Sequence, residues 1–271
     1  MIRPSTRLAL ALLVTLTFAS SAFAQDDDRA LKPAEPDFTV VNLPTSLNLP
    51  QWGSGIRITH RFLRPLDCDL CENSFLGDAL GTDQGAAIGL EYRIGIVPRG
   101  QVILHRARMD RTIQFMGEYG VLRQTGKSPV EMAAIVSIEG TENFQDVYSP
   151  TIGVALSHLF GDRAALHLDP MWVGNSNITS DVGDDNTFVI GIGGRFAIVP
   201  GLNIVAEVSP RAGGYSPGNP LAAFALEKRL GGHMFQLVFS NNFGTTLRQI
   251  AQGAPDSNEW YMGFNLTRKF F

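Results

Sequence analysis

Residues 86–97 read AAIGLEYRIGIV. In an extended chain successive side chains point to opposite sides. Ile88, Leu90, Tyr92, Ile94 and Ile96 therefore share one face, and Ala87, Gly89, Glu91, Arg93 and Gly95 share the other. Twelve residues of period two is long for a strand of a small sandwich, where about five or six is usual. It is enough to cross a membrane at a tilt.

The same alternation recurs along the chain. Ile113, Phe115, Tyr119 and Val121 oppose Gln114 and Glu118. Phe188, Ile190, Ile192, Phe196 and Ile198 oppose Gly191, Gly193 and Arg195, and Trp260, Met262, Phe264 and Leu266 oppose Tyr261, Gly263, Asn265 and Thr267. Twelve such segments are expected, at 52–64, 85–97, 100–109, 112–123, 130–140, 148–160, 163–175, 186–198, 202–210, 220–230, 233–243 and 258–270. Alternation by itself does not tell inside from outside, because a half-buried soluble sheet gives the same pattern. Segment length, glycine placement and loop order decide it. Glycines recur opposite the aliphatic face, where a crowded interior favours a missing side chain. Short connections at 98–100, 125–129, 161–162, 200–201 and 231–232 alternate with longer ones at 65–84, 141–147, 176–185, 211–219 and 244–257. Only the connection near Asp110 breaks this order by being short. Tight periplasmic turns, long outer loops and an even strand count are the rule of outer-membrane barrels. The expectation is an all-β protein: a transmembrane antiparallel up-and-down β-barrel of about 12 strands in the bacterial cell outer membrane, with a soluble β-sandwich as the alternative. Trp52, Tyr92, Tyr119, Tyr148, Trp172, Trp260 and Tyr261 lie near strand ends or at lipid-face positions, as interfacial aromatics would.

The N-terminus supplies the route there. Arg3 and Arg7 precede an apolar run from Leu8 to Phe18 and the small-residue ending Ala22-Phe23-Ala24, which is the grammar of a secretory signal peptide cleaved after Ala24. Removing 1–24 takes the net charge from -4 to -6, since two arginines leave and no acid does. A mildly acidic exported chain lacks the basic stripe that nucleic-acid binding needs. Residues 25–50, polar and proline-rich, read as a periplasmic extension or partial plug of the barrel mouth, leaving 51–271 for the barrel.

Cys68 and Cys71 stand three apart. Export permits a local disulfide, with free thiols or half of a metal or redox site as alternatives. A lone pair supplies two of the four ligands a closed zinc site wants, and no histidine follows to make the haem-attachment pattern. No metal and no cofactor is expected. The acidic stretch from Ser180 to Asn186 does not match the helix-loop-helix calcium pattern.

The C-terminal segment NLTRKFF ends on Phe271, and in this the chain resembles bacterial outer-membrane barrels, which close their last strand on an aromatic residue. The first strand, GSGIRITHRFLRP, with His60-Arg61-Phe62, resembles a family of exported barrels of unassigned function that carries an HRF element there. The resemblance implies location and shape, and contact of the last strand with the barrel-assembly machinery. It carries over no catalytic residue. Here Phe264, Leu266 and Phe270 share the lipid-facing phase while Phe271 does not.

The phases assign Arg57, Arg61, Glu91, Arg93, Glu118, His167, Asp169, Arg195, Glu207, Arg211, Glu227, Arg229 and Lys269 to the lumen. Mixed signs admit two readings. One is a narrow polar channel for a small solute; the other is a paired network that fills a small barrel, with function moved to the outer loops. A hydrolase would need a serine within reach of a histidine. His167 shares a face with Asp169, but the only serine offered by its own strand, Ser176, lies past the expected rim. No enzymatic activity is expected.

Overall fold

The computed structural model describes residues 32–68, 71, 77–78, 81, 84–177, 185–257 and 259–270. The signal peptide, residues 25–31, the acidic residues 180–184 and the terminal Phe271 lie outside the described residues.

Thirteen strands form one antiparallel sheet: β1 (Ser54–Pro65), β2 (Ala86–Val97), β3 (Gly100–Ala107), β4 (Ile113–Leu122), β5 (Glu131–Gly140), β6 (Asp146–Phe160), β7 (Ala164–Val173), β8 (Thr187–Val199), β9 (Leu202–Ser209), β10 (Arg211–Gly214), β11 (Leu221–Leu230), β12 (His233–Ser240) and β13 (Tyr261–Phe270). β9 and β10 are one strand interrupted at Pro210, which has no N–H to donate to the ladder but accepts from Ile190 N. Both halves pair with β8. β1 pairs with β13, from Ser54↔Phe270 to Arg61↔Gly263, so the sheet closes as a twelve-stranded barrel with no free edge.

Burial settles inside from outside. Leu90 is 53% exposed, Tyr92 44% and Ile152 62%, whereas Arg57, Arg93 and Arg195 are each 2–3% exposed. The barrel is therefore inverted relative to a soluble core, apolar outward and polar inward, as a lipid-embedded barrel requires. The outward aromatics include Trp52, Tyr119, Tyr148 and Trp172. Tyr261 departs from the expected girdle: it is buried, packs against Phe243 and donates its hydroxyl to Glu259.

The turns at 98–99, 161–163, 200–201 and 231–232 lie at the end where β1 begins, and the short connection 108–112, as its sequence indicated, lies at the opposite end. Three further connections at the opposite end lie almost wholly within the described residues. β6 starts at Asp146, so the expected loop 141–147 shrinks to one helical turn, Thr141–Phe144. Part of the expected loop 211–219 is strand β10. The connection after β12 carries a helix, α1 (Leu247–Gln252), entered through a reciprocal Thr246/Gln249 cap. Leu247, Arg248, Gln249, Ile250 and Ala251 are all buried in the mouth of the barrel.

Cys68 and Cys71 form a disulfide in the first outer connection, with Cα atoms 5.5 Å apart. Beside it Arg64 pairs with Asp78 at 2.6 Å.

Candidate functional site: an occupied lumen

Residues 32–50 do not hang below the barrel. They run from the turn end into the lumen, reverse at Val40–Leu43, where Val40 N donates to Leu43 O at 2.8 Å, and return to start β1. Thr39 and Pro44 bridge the two limbs. The space comes from missing side chains on the wall. A Cβ at Gly191 would lie 2.5 Å from a Leu43 methyl, one at Gly193 3.0 Å from Val40, and one at Gly95 2.1 Å from Pro50 O.

A buried backbone must have its polar groups satisfied, and here the wall does it. At the tip the Glu207 carboxylate accepts from Val41 N at 2.9 Å, Asn42 N at 2.9 Å, Leu43 N at 3.1 Å and Asn42 Nδ2 at 2.8 Å. The carbonyls around it receive donors from four other strands. Arg195 Nη2 donates to Thr39 O at 2.9 Å, Gln236 Nε2 to Val40 O at 2.6 Å, and Asn265 Nδ2 to Val41 O at 3.0 Å. Arg57 also donates to Val41 O. Lys269 donates to Pro36 O and pairs with Asp37 at 3.4 Å. On the return limb, Gln101 accepts from Leu49 N and donates to Leu47 O, both at 3.1 Å.

The charges that hold the hairpin also hold one another. Arg195 forms a two-point pair with Glu227, Nε to Oε1 at 2.9 Å and Nη2 to Oε2 at 3.0 Å. This planar fork is the strong form of such a contact. Arg93 donates to Glu91 at 2.9 Å, reaches Glu118 at 3.7 Å and stacks over the Phe38 ring. Arg57 lies 3.7 Å from Glu91. Arg61 donates to Asn265 Oδ1 at 2.8 Å and Asn42 Oδ1 at 3.0 Å.

Thus eleven of the thirteen residues assigned to the lumen by phase are buried on the inner face: Arg57, Arg61, Glu91, Arg93, Glu118, His167, Asp169, Arg195, Glu207, Glu227 and Lys269. Two are placed elsewhere. Arg211 is half-exposed at the outer mouth, donating to Ser216, Gly218 O, Asn219 O and Gln252 O. The break at Pro210 and the register shift after Arg211 turn it toward the loops, which it ties to α1. Arg229 sits half-exposed at the turn end of β11, below the packed layer.

His167 has a serine partner that its own strand did not offer. Ser157 lies directly across on β6, with Oγ 3.0 Å from His167 Nδ1. The hydroxyl also contacts Glu35 Oε1 at 3.0 Å and Ser46 Oγ at 2.8 Å. All four side chains are buried against the hairpin, so the hydroxyl is saturated by structural contacts. Glu35 lies on the hairpin rather than in a spanning strand. Its carboxyl is pushed up to about 7, by burial first and by Glu131 second, against the opposing pull of Ser157, Arg195 and Lys32.

α1 fills the other end. Arg248 N and Glu139 share a hydrogen bond at 2.5 Å, and Arg248 Nη2 reaches Asp110 and Thr112, each at 3.0 Å. Leu247, Ile250 and Ala251 join Val40, Val41 and Leu43 in one apolar cluster with the inward-facing Ile103, Ile135, Met171 and Val189. Glu139, Arg248, Gln236, Gln101 and Ser157 are contact residues that the phase reading did not single out. The T-x-x-Q at 246–249 is the signal that marks α1. At the turn end a cleft of about 540 Å³ opens between the return limb and the wall.

Over residues 37–270 the chain matches the family described as Membrane bound beta barrel domain (DUF5777). It belongs to that family. Among solved structures it is similar to the NanC porin, at 8% identity over 79% of this chain and 98% of that one with a TM-score of 0.50. It is equally similar to the KdgM porin in complex with disordered oligogalacturonate, at 8% identity over 80% and 99% with a TM-score of 0.50. Among curated proteins none matches. Family membership, a closed barrel and an apolar outer wall make this a bacterial outer-membrane β-barrel of porin-like fold.

Proposed function

We propose that the protein is a channel for small polar solutes that rests shut, with residues 25–50 acting as its plug. The observation that carries this reading is Glu207. One buried carboxylate takes three consecutive backbone N–H groups and a side-chain amide of the hairpin tip. Such a group organises a removable peptide more than it stiffens a wall. The hairpin is held by polar contacts to many strands, yet it joins the barrel covalently only at β1, so it can leave without unfolding the sheet. The mature chain would sit among outer-membrane lipid, inserted through recognition of its C-terminal strand by the barrel-assembly machinery.

The test compares ion conductance in planar bilayers for mature 25–271 and for 51–271, with heat-modifiable mobility confirming that both are folded. The full-length protein is expected to be silent or to open rarely, and the shortened one to conduct steadily. A second reading rests on α1, which occupies the other mouth: an accessory barrel that never conducts and acts through its outer loops. Silence of both proteins would overturn the channel and leave that reading standing.

A further inference from the structure

The cleft of about 540 Å³ at the turn end is bounded by the return limb of the hairpin, Leu47–Gln51, and by two turns that carry Arg99 and Arg123. Its volume falls in the range of small-ligand sites, roughly 300–1,000 Å³. Its charge is unbalanced. Among the described residues its wall carries three cations and one acid, and Lys32 is taken by that acid, Glu131. Among the described residues Arg99 and Arg123 have no carboxylate partner, and the buried Arg99 Nη2 has no hydrogen-bond partner.

Arg99 is also held in an unusual way. Its backbone has φ +67°, the left-handed region where a Cβ is disfavoured and glycine or asparagine is the ordinary choice. Its side chain lies over Gly120, where a Cβ would come 3.4 Å from Nε and 3.3 Å from Asn48 Oδ1. The turn thus places an arginine where backbone geometry favours a smaller residue, and a neighbouring glycine clears the floor beneath it. A guanidinium presents a planar fork of donors matched to carboxylate and phosphate oxygens.

We infer that this cleft binds a small anionic solute bearing carboxylate or phosphate groups, held between Arg99 and Arg123 against the return limb of the hairpin. Half of the wall is hairpin, so the ligand is bound by the seated state. The inference goes beyond the channel reading, and its readout is binding rather than current, so the two fail separately.

The experiment is calorimetric titration of refolded mature protein in zwitterionic detergent with citrate and, separately, with inorganic phosphate. Saturable binding is expected, with affinity falling at least tenfold in R99Q/R123Q and unchanged in K127Q, whose lysine is exposed in the same turn region but does not line the cleft. A variant with Asp26, Asp27 and Asp28 changed to asparagine distinguishes a free solute from the chain's own acidic run. Tighter binding in it means that the run competes for the same two arginines, and supports the site. The inference is overturned if neither probe binds the wild type or that variant, if R99Q/R123Q binds as well as wild type, or if K127Q loses binding equally.

Discussion

Replacing Glu207 by glutamine tests what seats the hairpin. The carboxylate accepts four donors from Val41, Asn42 and Leu43, and a hydrogen bond to a charged group contributes roughly 1.5–3 kcal/mol. Glutamine keeps one acceptor oxygen but turns an NH2 group toward donors that previously met an oxygen. Two charge-assisted bonds are lost, and the relief of burying a charge offsets part of that. The seated state should weaken by about 3 kcal/mol, which is on the order of a hundredfold in the ratio of released to seated hairpin. The Arg195–Glu227 pair and the Asn265 contact do not pass through Glu207. The assay is modification of a cysteine placed at Val41 by a membrane-impermeant maleimide. Val41 is fully buried, and Cys68 and Cys71 are tied to each other, so the reagent reports release of the tip alone. In E207Q the labelling rate should rise by about two orders of magnitude, with matching openings in bilayers. A rate within about threefold of the parent would refute the claim that these bonds hold the tip.

Two further outcomes follow from the same seat. Glu35, raised from about 4.5 to about 7, makes the seated hairpin bind more protons than the released one. Its contribution is therefore full below about pH 4.5, declines as pH rises through 7 and is level above, by at most roughly 3 kcal/mol. The groups facing it are Glu131, Lys32, Arg195 and His167, so labelling at Val41, divided by that of a free thiol at the same pH because the thiolate is the reacting form, should quicken between pH 5 and 8 and lose that slope in E35Q; a flat normalised wild-type profile would sink the idea. Gly191→Val should force its new side chain against Leu43, where a Cβ already comes within 2.5 Å. It should loosen the seat by roughly 1–3 kcal/mol, while Gly213→Ala, which meets nothing within 4 Å, should leave labelling unchanged.

The barrel was legible because its two periodicities are local. Strand phase follows from residues two apart, as in 86–97, and turn order follows from Pro98-Arg99-Gly100 or Gly231-Gly232 alone. Phase also put most of the polar residues on the inner face. It misread Arg211, because phase assumes an unbroken strand and Pro210 interrupts the ladder before it. It also gave no account of the aliphatics at Ile103, Ile135, Met171 and Val189, which face inward. In an empty polar lumen these residues would be misplaced. They make sense only once Val40, Val41, Leu43 and α1 occupy the centre; composition left 25–50 as either an extension or a partial plug, and the inward path of 32–50 is fixed by long-range contacts that no local pattern encodes.

The same contrast explains why mixed lumen charge could not distinguish a channel from a filled barrel. Opposite charges on one strand or on neighbouring strands pair whether or not anything lies between them, and Arg93 and Arg57 with Glu91 would do so in an open pore. The groups that discriminate are those whose partner is backbone: Glu207 with three consecutive N–H groups, and Arg57, Arg195, Gln236 and Asn265 with carbonyls of residues 39–41. A side chain in a water-filled pore satisfies itself with water at little cost. The same side chain, stripped of water by a peptide it binds, is costly to leave unpaired, at roughly 1–3 kcal/mol and more if charged. Opening must therefore rehydrate at least five wall side chains and the hairpin tip together. That coupling makes seated and released two distinct states, and it is why loss of the single carboxylate at position 207 should be read at every probe of the tip at once.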